Sequence, residues 1–598
     1  MKAWSIIKHI VRLLGYTVLA VVLLLCGVVA LLYSDWAQDK ARRAVVAKLS
    51  TPAADLSLDF FRLDFPLDIE AGGLVLTSYG DTMMAASSLR AEIDVLPLLA
   101  GKAVISGAEV SGVRYRMGVP DSALFLNIAA DSVALAPASV KLADMAIKVG
   151  DGLIRGGRLT MVMNTDTAPP TPPAPPTRMS IALDRIALDD FTYTMRMMPT
   201  IDTLSAHIAA SELRDGLVDL FNQKIDLASF KGRGLSARYI VPDSAMLAAS
   251  GPYPLAASSD TVTSAPWTVA IDSIDFHGGD ALYATAGVTP LPGLDFTYIS
   301  LDSIDLALHD FYNQATTVRL PLKLHGRERC GVVLDVDGTL DIDSAALNFR
   351  QVHLATPRGT DVRFDGVMGM GDMVSDPSLP LGINLDGAFA PGDMADMFPA
   401  FTPYLAAIPA ADDILLTLGA SGTTGNLVID NARLLLNNCV TLNASGNVEN
   451  MMNPVALGGN IKLRGNIINV NSFKNKLLAK ETAAMLRIPP MTLDGNVAMK
   501  RGVVDGRLTA VTKGGRIGLD ARWNGDAEAY RADVTASTFP VQAFMPLLGV
   551  EQVTAKAHVT GRGYDPFVKS TKIDADIDVA NAVYDGVAYT DIKAKAGL

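Results

Sequence analysis

Between Arg62 and Glu70 the chain reads Arg-Leu-Asp-Phe-Pro-Leu-Asp-Ile-Glu, with apolar and polar residues changing places at each step. The same beat returns where Leu89, Ala91, Ile93 and Val95 alternate with Arg90, Glu92 and Asp94. It recurs from Leu334 to Asp343 and from Ile573 to Val579. Alternation at 180° per residue describes a strand with one apolar and one wet face. Asp-Gly, Gly-Gly, Gly-Asn and Ser-Gly turn signals break these runs about every ten residues, as an antiparallel meander requires. Helical spacing is confined to the neighbourhoods of 391–408, 471–487 and 538–549. The chain is therefore expected to be mainly β, an elongated antiparallel sheet with a few short helices. At ~12 residues per strand and turn its body would hold about 45 strands.

What hides the apolar face decides the architecture, because so few helices cannot cover so much sheet. Two arrangements stay open. A series of β-sandwiches would bury each inner face against a second sheet. Alternatively, one long sheet would curl into a taco-like groove and leave its inner face to hydrocarbon guests. In the groove the lining residues would include Leu63, Phe65, Leu67, Ile69, Leu89, Ile93, Val95, Leu334, Val336, Leu340, Ile342, Ile573, Ile577 and Val579. Internal echoes point to strand blocks added end to end. Leu183-Asp-Arg-Ile-Ala-Leu-Asp-Asp-Phe191 returns as Leu301-Asp-Ser-Ile-Asp-Leu-Ala-Leu-His-Asp-Phe311, and more faintly at Ile271-Asp-Ser-Ile-Asp-Phe276. Two stretches interrupt the pattern. Ala168 to Thr177 is six-tenths proline and reads as a stiff polyproline loop. Pro242 to Pro266 is rich in Ala, Ser and Pro.

The N-terminus has a different logic. Lys2, Lys8 and Arg12 precede an uncharged run from Leu13 to Ser34. Such a run is long enough to cross a bilayer, which takes ~20 apolar residues. A cleaved signal peptide has an apolar region of only ~7–15 residues, and Leu31, Leu32 and Tyr33 continue the run beyond the small residues at 28–30. Leu24-Leu25-Cys26 has the outline of a lipoprotein signal, but a bulky Leu directly before the Cys is wrong for that cleavage. The expected organisation is a cytoplasmic N-terminus (1–12), a transmembrane anchor (13–34) and a first β-domain (35–167). The Pro-rich loop (168–177), groove repeats (178–390) and further repeats with short helices (391–598) follow, and alternation is still running at the last residues. With 51 Lys+Arg against 63 Asp+Glu and a net charge of −12, the composition disfavours nucleic acid, which needs clustered cations. Apolar content of 49% excludes bulk disorder.

Several motifs invite chemistry. Val332-Val-Leu-Asp-Val-Asp-Gly-Thr-Leu340 matches the opening motif of haloacid-dehalogenase-type phosphatases, with Asp335 as nucleophile and Asp337 as acid/base. That chemistry needs an α/β frame, whereas residues 341–350 continue as strand, and an Asp-Gly hairpin turn explains the same residues. As a calcium loop the segment fails, because Leu340 stands where the sharp-turn Gly must be. Gly232-Arg-Gly-Leu-Ser-Ala237 fits a relaxed dinucleotide fingerprint without βαβ surroundings. His9, His207, His277, His309, His325, His353 and His558 stand apart, with no zinc spacing. Cys26, Cys330 and Cys439 cannot staple a chain this long; Cys330 and Cys439 could pair in an oxidising compartment or stay as thiols. No catalytic residue, metal or cofactor is expected.

Taken in order, the anchor, Phe65-Pro-Leu-Asp-Ile69, Tyr79-Gly-Asp-Thr-Met-Met-Ala85, Leu96-Pro-Leu-Leu-Ala-Gly-Lys-Ala-Val-Ile105 and Val110-Ser-Gly-Val113 carry a resemblance. So do Leu301-Asp-Ser-Ile-Asp-Leu306, Leu354-Ala-Thr-Pro-Arg358 and Gly549 to Tyr564. The chain resembles the AsmA-like family of diderm bacteria in its TamB-type branch, the inner-membrane subunit of the translocation and assembly module. The likeness runs along essentially the whole chain as β-pattern rather than as a catalytic signature. It implies an inner-membrane protein with its body in the periplasm, a β-groove lined by aliphatics, and phospholipids as partner. It also implies a role in outer-membrane biogenesis by moving lipid between the two membranes, or in outer-membrane protein insertion and autotransporter secretion with a barrel partner. The C-terminal domain of that branch has no counterpart here, so a barrel partner would engage a region outside this chain.

Overall fold

The computed structural model describes residues 33–597 except 51–53, 65–66, 79, 95–96, 98–101, 119–123, 142–145, 165–178, 199–201, 243–267, 315–316, 372, 374, 406–407, 409–413, 437–438, 454, 472–473, 475–479 and 564–570. Among the described residues there are 28 strands and a few short helices. Fewer strands form than the expected 45 because those of the first half run to 16–19 residues each from Lys102 to Val241. The described residues fall into two compact units. One takes in those up to 289 together with 302–315, and the other takes in those of 290–301 and from 316 onward. The expected transmembrane segment lies outside the described residues as far as 32. No helix among the described residues is long and apolar enough to cross a membrane.

The first unit opens with a helix, Asp35–Leu49, whose N-cap Ser34 accepts a hydrogen bond from the Ala37 N–H. Strands Ala54–Ser57 and Phe60–Asp64 both pair with Asp68–Ser78. The ladder then continues antiparallel through Asp81–Ile93, Lys102–Met117 and Leu124–Lys141 to Ala146–Asn164. At that point the expectation of a purely antiparallel sheet fails. Ser180–Met198 pairs parallel with Ala146–Asn164, and Thr268–Thr285 pairs parallel with Lys224–Val241. Parallel neighbours need a crossover of a dozen or more residues rather than a tight turn. The two low-complexity stretches lie in these crossovers.

A line of irregularities crosses this unit. Gly73, Gly112, Gly156, Asp190, Gly234 and Gly278 all have φ between 55° and 65°, each at a position the ladder leaves unpaired. The reason for glycine is steric as well as conformational. A Cβ on Gly112 would lie 2.3 Å from Ser87 Oγ, and one on Gly156 would lie 2.1 Å from Asp131 Oδ2. Residue numbers match on both strands at each point, so these are not bulges but a line of left-handed backbone positions, a crease across the long strands. Gly232-Arg-Gly-Leu-Ser-Ala237 is part of this crease, inside the strand Lys224–Val241, and not a nucleotide loop.

The second unit is simpler. Its sixteen strands from Thr317–Glu328 to Val587–Gly597 follow one another as antiparallel neighbours. Connections therefore alternate between the two strand ends. The helical ones, with Pro391–Met397, Lys480–Met485 and Val541–Phe544, fall at one and the same end. These are the three places where the sequence showed helical spacing. They are tied down: buried Asp393 accepts from the Thr356 and Thr360 hydroxyls at 2.5 and 2.7 Å. The Arg487 N–H donates to the Phe544 carbonyl.

Close strand approach sets one prediction. A Cβ at Gly387 would lie 2.6 Å from the Asp361 carbonyl oxygen and from Val362 Cα, whereas one at Gly506 would meet nothing within 4 Å. Gly387→Val is expected to lower stability by about 1–3 kcal/mol through overpacking, visible as a lower urea midpoint. Gly506→Val should leave the midpoint within about 0.5 kcal/mol of the parent.

Candidate functional site

Paired residues on neighbouring strands point to the same face, so cross-strand register turns a sequence pattern into a surface. Following it through the second unit gives Leu324, Val336, Leu354, Val362, Gly387, Leu416, Leu434, Leu442, Gly465, Leu493, Ala510, Ile517, Ala536, Ala555, Val579 and Ile592. No residue in this row is polar. A second row runs from Leu320 and Leu340 through Ile383, Ile429, Ile461 and Val497 to Val559 and Ala596. A third joins Ile342, Leu427, Val504, Trp523 and Ile573. A fourth passes through Phe364, Leu385, Leu463, Leu508 and Leu519 to Ile577. The opposite face is polar in the same systematic way. Lys323, Asp337, His353, Arg363, Asp386, Thr417 and Arg433 are successive partners, and further along come Arg464, Asp494, Lys556, Asp578 and Lys593.

The two-faced sheet is not closed by a second layer. Within each unit, and among the described residues, each strand's close neighbours are its ladder partners, and the strands belong to one sheet rather than to two stacked ones. The sandwich arrangement therefore does not form within either unit. Along the apolar rows Val362 is 4% exposed, but Val497 is 42%, Leu519 37%, Ile577 37% and Ile592 43% exposed. Sixteen strands ~4.8 Å apart, with four rows ~6.8 Å apart, give about 2,000 Å² of apolar sheet face. Monomeric soluble proteins rarely expose contiguous apolar patches of more than a few hundred Å². The first unit has its own apolar rows, such as Leu63, Ile69, Ala91, Ala108, Leu135, Gly152, Ile186, Leu213, Phe230 and Ile274.

Of the fourteen lining residues expected from sequence, Phe65 and Val95 lie outside the described residues. Leu63, Ile69, Leu89 and Ile93 stand on the apolar face of the first unit, with Leu67 at the adjoining turn, where its carbonyl accepts from the Ile93 N–H. Leu334, Val336, Leu340 and Ile342 share the apolar face of one strand in the second unit, and Ile573, Ile577 and Val579 share that of another. The lining residues on the strands between them, such as Ile461 and Leu463, were not singled out from sequence, although the strands themselves were expected.

The candidate catalytic motif has a different setting from either expectation. Val333–Ile342 is a strand followed by the antiparallel strand Ala346–Ala355, so the α/β frame of a phosphatase is not formed there. Nor is Asp337-Gly338 a hairpin turn: it lies inside the strand opposite an extra residue on Ala346–Ala355, and a Cβ on Gly338 would lie 2.8 Å from Val352 Cα. Asp335 and Asp337 sit on the polar face against His325 at 2.7 Å and His353 at 3.3 Å. His558 and Asp533 form a similar pair at 2.6 Å, and this hydrogen bond holds the Asp533 carboxyl below the usual range. No group of three or more potential ligands for a metal exists among the described residues. No family model matches the chain, and no curated protein matches it.

Cys330 and Cys439 are not joined to each other, and Cys330 is a thiol. Burial, followed by the hydrogen bond to Glu328, pushes the Cys330 thiol up to about 11. Since only the thiolate reacts, alkylation of Cys330 at pH 8 is expected to run about a hundredfold slower than for a free thiol of ordinary pKa. The rate should rise about tenfold per pH unit up to about pH 11. Site-resolved mass spectrometry of a timed alkylation series checks this, and Glu328→Gln should speed the reaction.

Proposed function

We propose that this chain is an inner-membrane-anchored periplasmic β-groove protein that binds phospholipid acyl chains and conducts them between the inner and outer membranes. In this reading it is a TamB-type member of the AsmA-like family. The observation that carries the reading is the open apolar face of the second unit, row upon row of aliphatic and glycine positions, several of them more than a third exposed among the described residues. Acyl chains suit such a face. Each buried CH₂ contributes about 0.8 kcal/mol, and the contact is non-directional, so a tail slides along the rows without breaking a specific bond. Head groups would remain in water beyond the apolar band. The alternative role is helping outer-membrane proteins to insert by pairing sheet edges with client strands.

Val497→Asp and Ile577→Asp test the lipid reading, because both positions are already partly hydrated and a carboxylate there need not be desolvated on folding. The full chain extracted from cells should carry about tenfold less phospholipid in either variant, with unchanged far-ultraviolet circular dichroism. Wild-type lipid content in both variants would contradict the proposal.

A further inference from the structure

We propose that the helix Asp35–Leu49 lies on the bilayer surface and presents Trp36, Lys40 and Arg43 to anionic phospholipid headgroups. The inference rests on the anchored reading above and adds a surface to it. One face of the helix is committed to the sheet: Gln38 Nε2 donates to the Leu63 carbonyl at 3.2 Å, and Arg42 Nη1 to the Leu58 carbonyl at 3.4 Å. The other face is a stripe of exposed residues at helical spacing, Trp36, Lys40, Arg43, Ala44 and Ala47. Trp36 is 65% exposed, with the Lys40 ammonium 4.9 Å from its ring centroid.

Charge points to the partner. Residues 35–49 hold Lys40, Arg42, Arg43 and Lys48 against Asp35 and Asp39, a net positive patch on a chain of net charge −12. Asp39 is bridged by Arg42 and Arg43 at 3.0 and 2.5 Å, and exposed Asp35 lies in the same first turn, so the surface is net positive without being free of acid. Cations near an anionic leaflet are attracted to it, and Trp favours the membrane–water interface because its ring is apolar with a polar N–H. The stripe has a single large apolar residue, which fits shallow contact rather than deep insertion. Position agrees: the helix begins at residue 35, where the apolar run 13–34 ends.

The test uses the full chain with Trp4, Trp267 and Trp523 replaced by Phe, reconstituted into vesicles of phosphatidylcholine with or without phosphatidylglycerol. With phosphatidylglycerol, Trp36 emission should shift to the blue and be quenched by lipids brominated close to the headgroup. K40E combined with R43E should abolish both effects. Raising salt to 1 M, where the Debye length is about 3 Å, should weaken them without any substitution. Water-like, unquenched Trp36 in protein that floats with the vesicles would overturn the inference while leaving the anchor intact. So would quenching indifferent to both charge reversal and salt. A chain that does not float with the vesicles would instead sink the anchored reading, and this inference with it.

Discussion

Cross-strand register is the constraint on which the rest of this protein depends. The side-chain period of a strand is two, so a slip of one residue would turn a whole strand's apolar set from one face to the other. In the second unit register survives fifteen successive pairings, and the bulges do not spoil it. The extra residue of Ala346–Ala355, around Arg350 and Gln351, faces Gly338 on one side and Asp365 on the other, and Val352 and Leu354 then return to the apolar face. Backbone hydrogen bonds hold the strands together, and bulge placement decides which side is greasy.

A sheet built this way gains little from long-range packing. Each strand is stabilised by its two neighbours, so stability accumulates along the ladder much as in repeat proteins. The polar face contributes cross-strand pairs such as Arg507–Asp520 at 2.8 Å and Arg350–Asp341 at 2.7 Å, exposed contacts worth little individually. Their systematic placement matters more: charges are kept to one side, which leaves the other uniformly apolar. An apolar face left partly open to water is a standing cost, and hydrocarbon guests would offset it.

Much of this was legible in the sequence. Leu334-Asp-Val-Asp and Ile573-Asp-Ala-Asp announce strand and face together, and the three helical patches were found where they occur. Other features were not legible, for identifiable reasons. Parallel pairing across residues 165–178 and 243–267 depends on which strand the chain returns to, and Pro-rich composition only marks a connection. The crease through Gly112, Gly156 and Asp190 is a matter of backbone angle, which single glycines do not spell out. Asp335-Val-Asp-Gly-Thr339 misleads because the catalytic string and an alternating sheet strand use the same residues; only the antiparallel strand that follows separates them. Rows containing Gly387, Gly465 or Ala510 have weak alternation, and pairing is needed to see that they continue the apolar face.

The central claim is that hydrocarbon occupies the apolar rows and not the polar ones. A photocrosslinking residue placed singly at Leu463, Val497 or Leu519 on one face, and at Arg464, Asp494 or Asp520 on the other, reads this directly in cells making the full chain. The account predicts phospholipid adducts, identified by mass spectrometry, at the first three positions and none at the second three. Equal labelling of both faces, or labelling of neither, would contradict it.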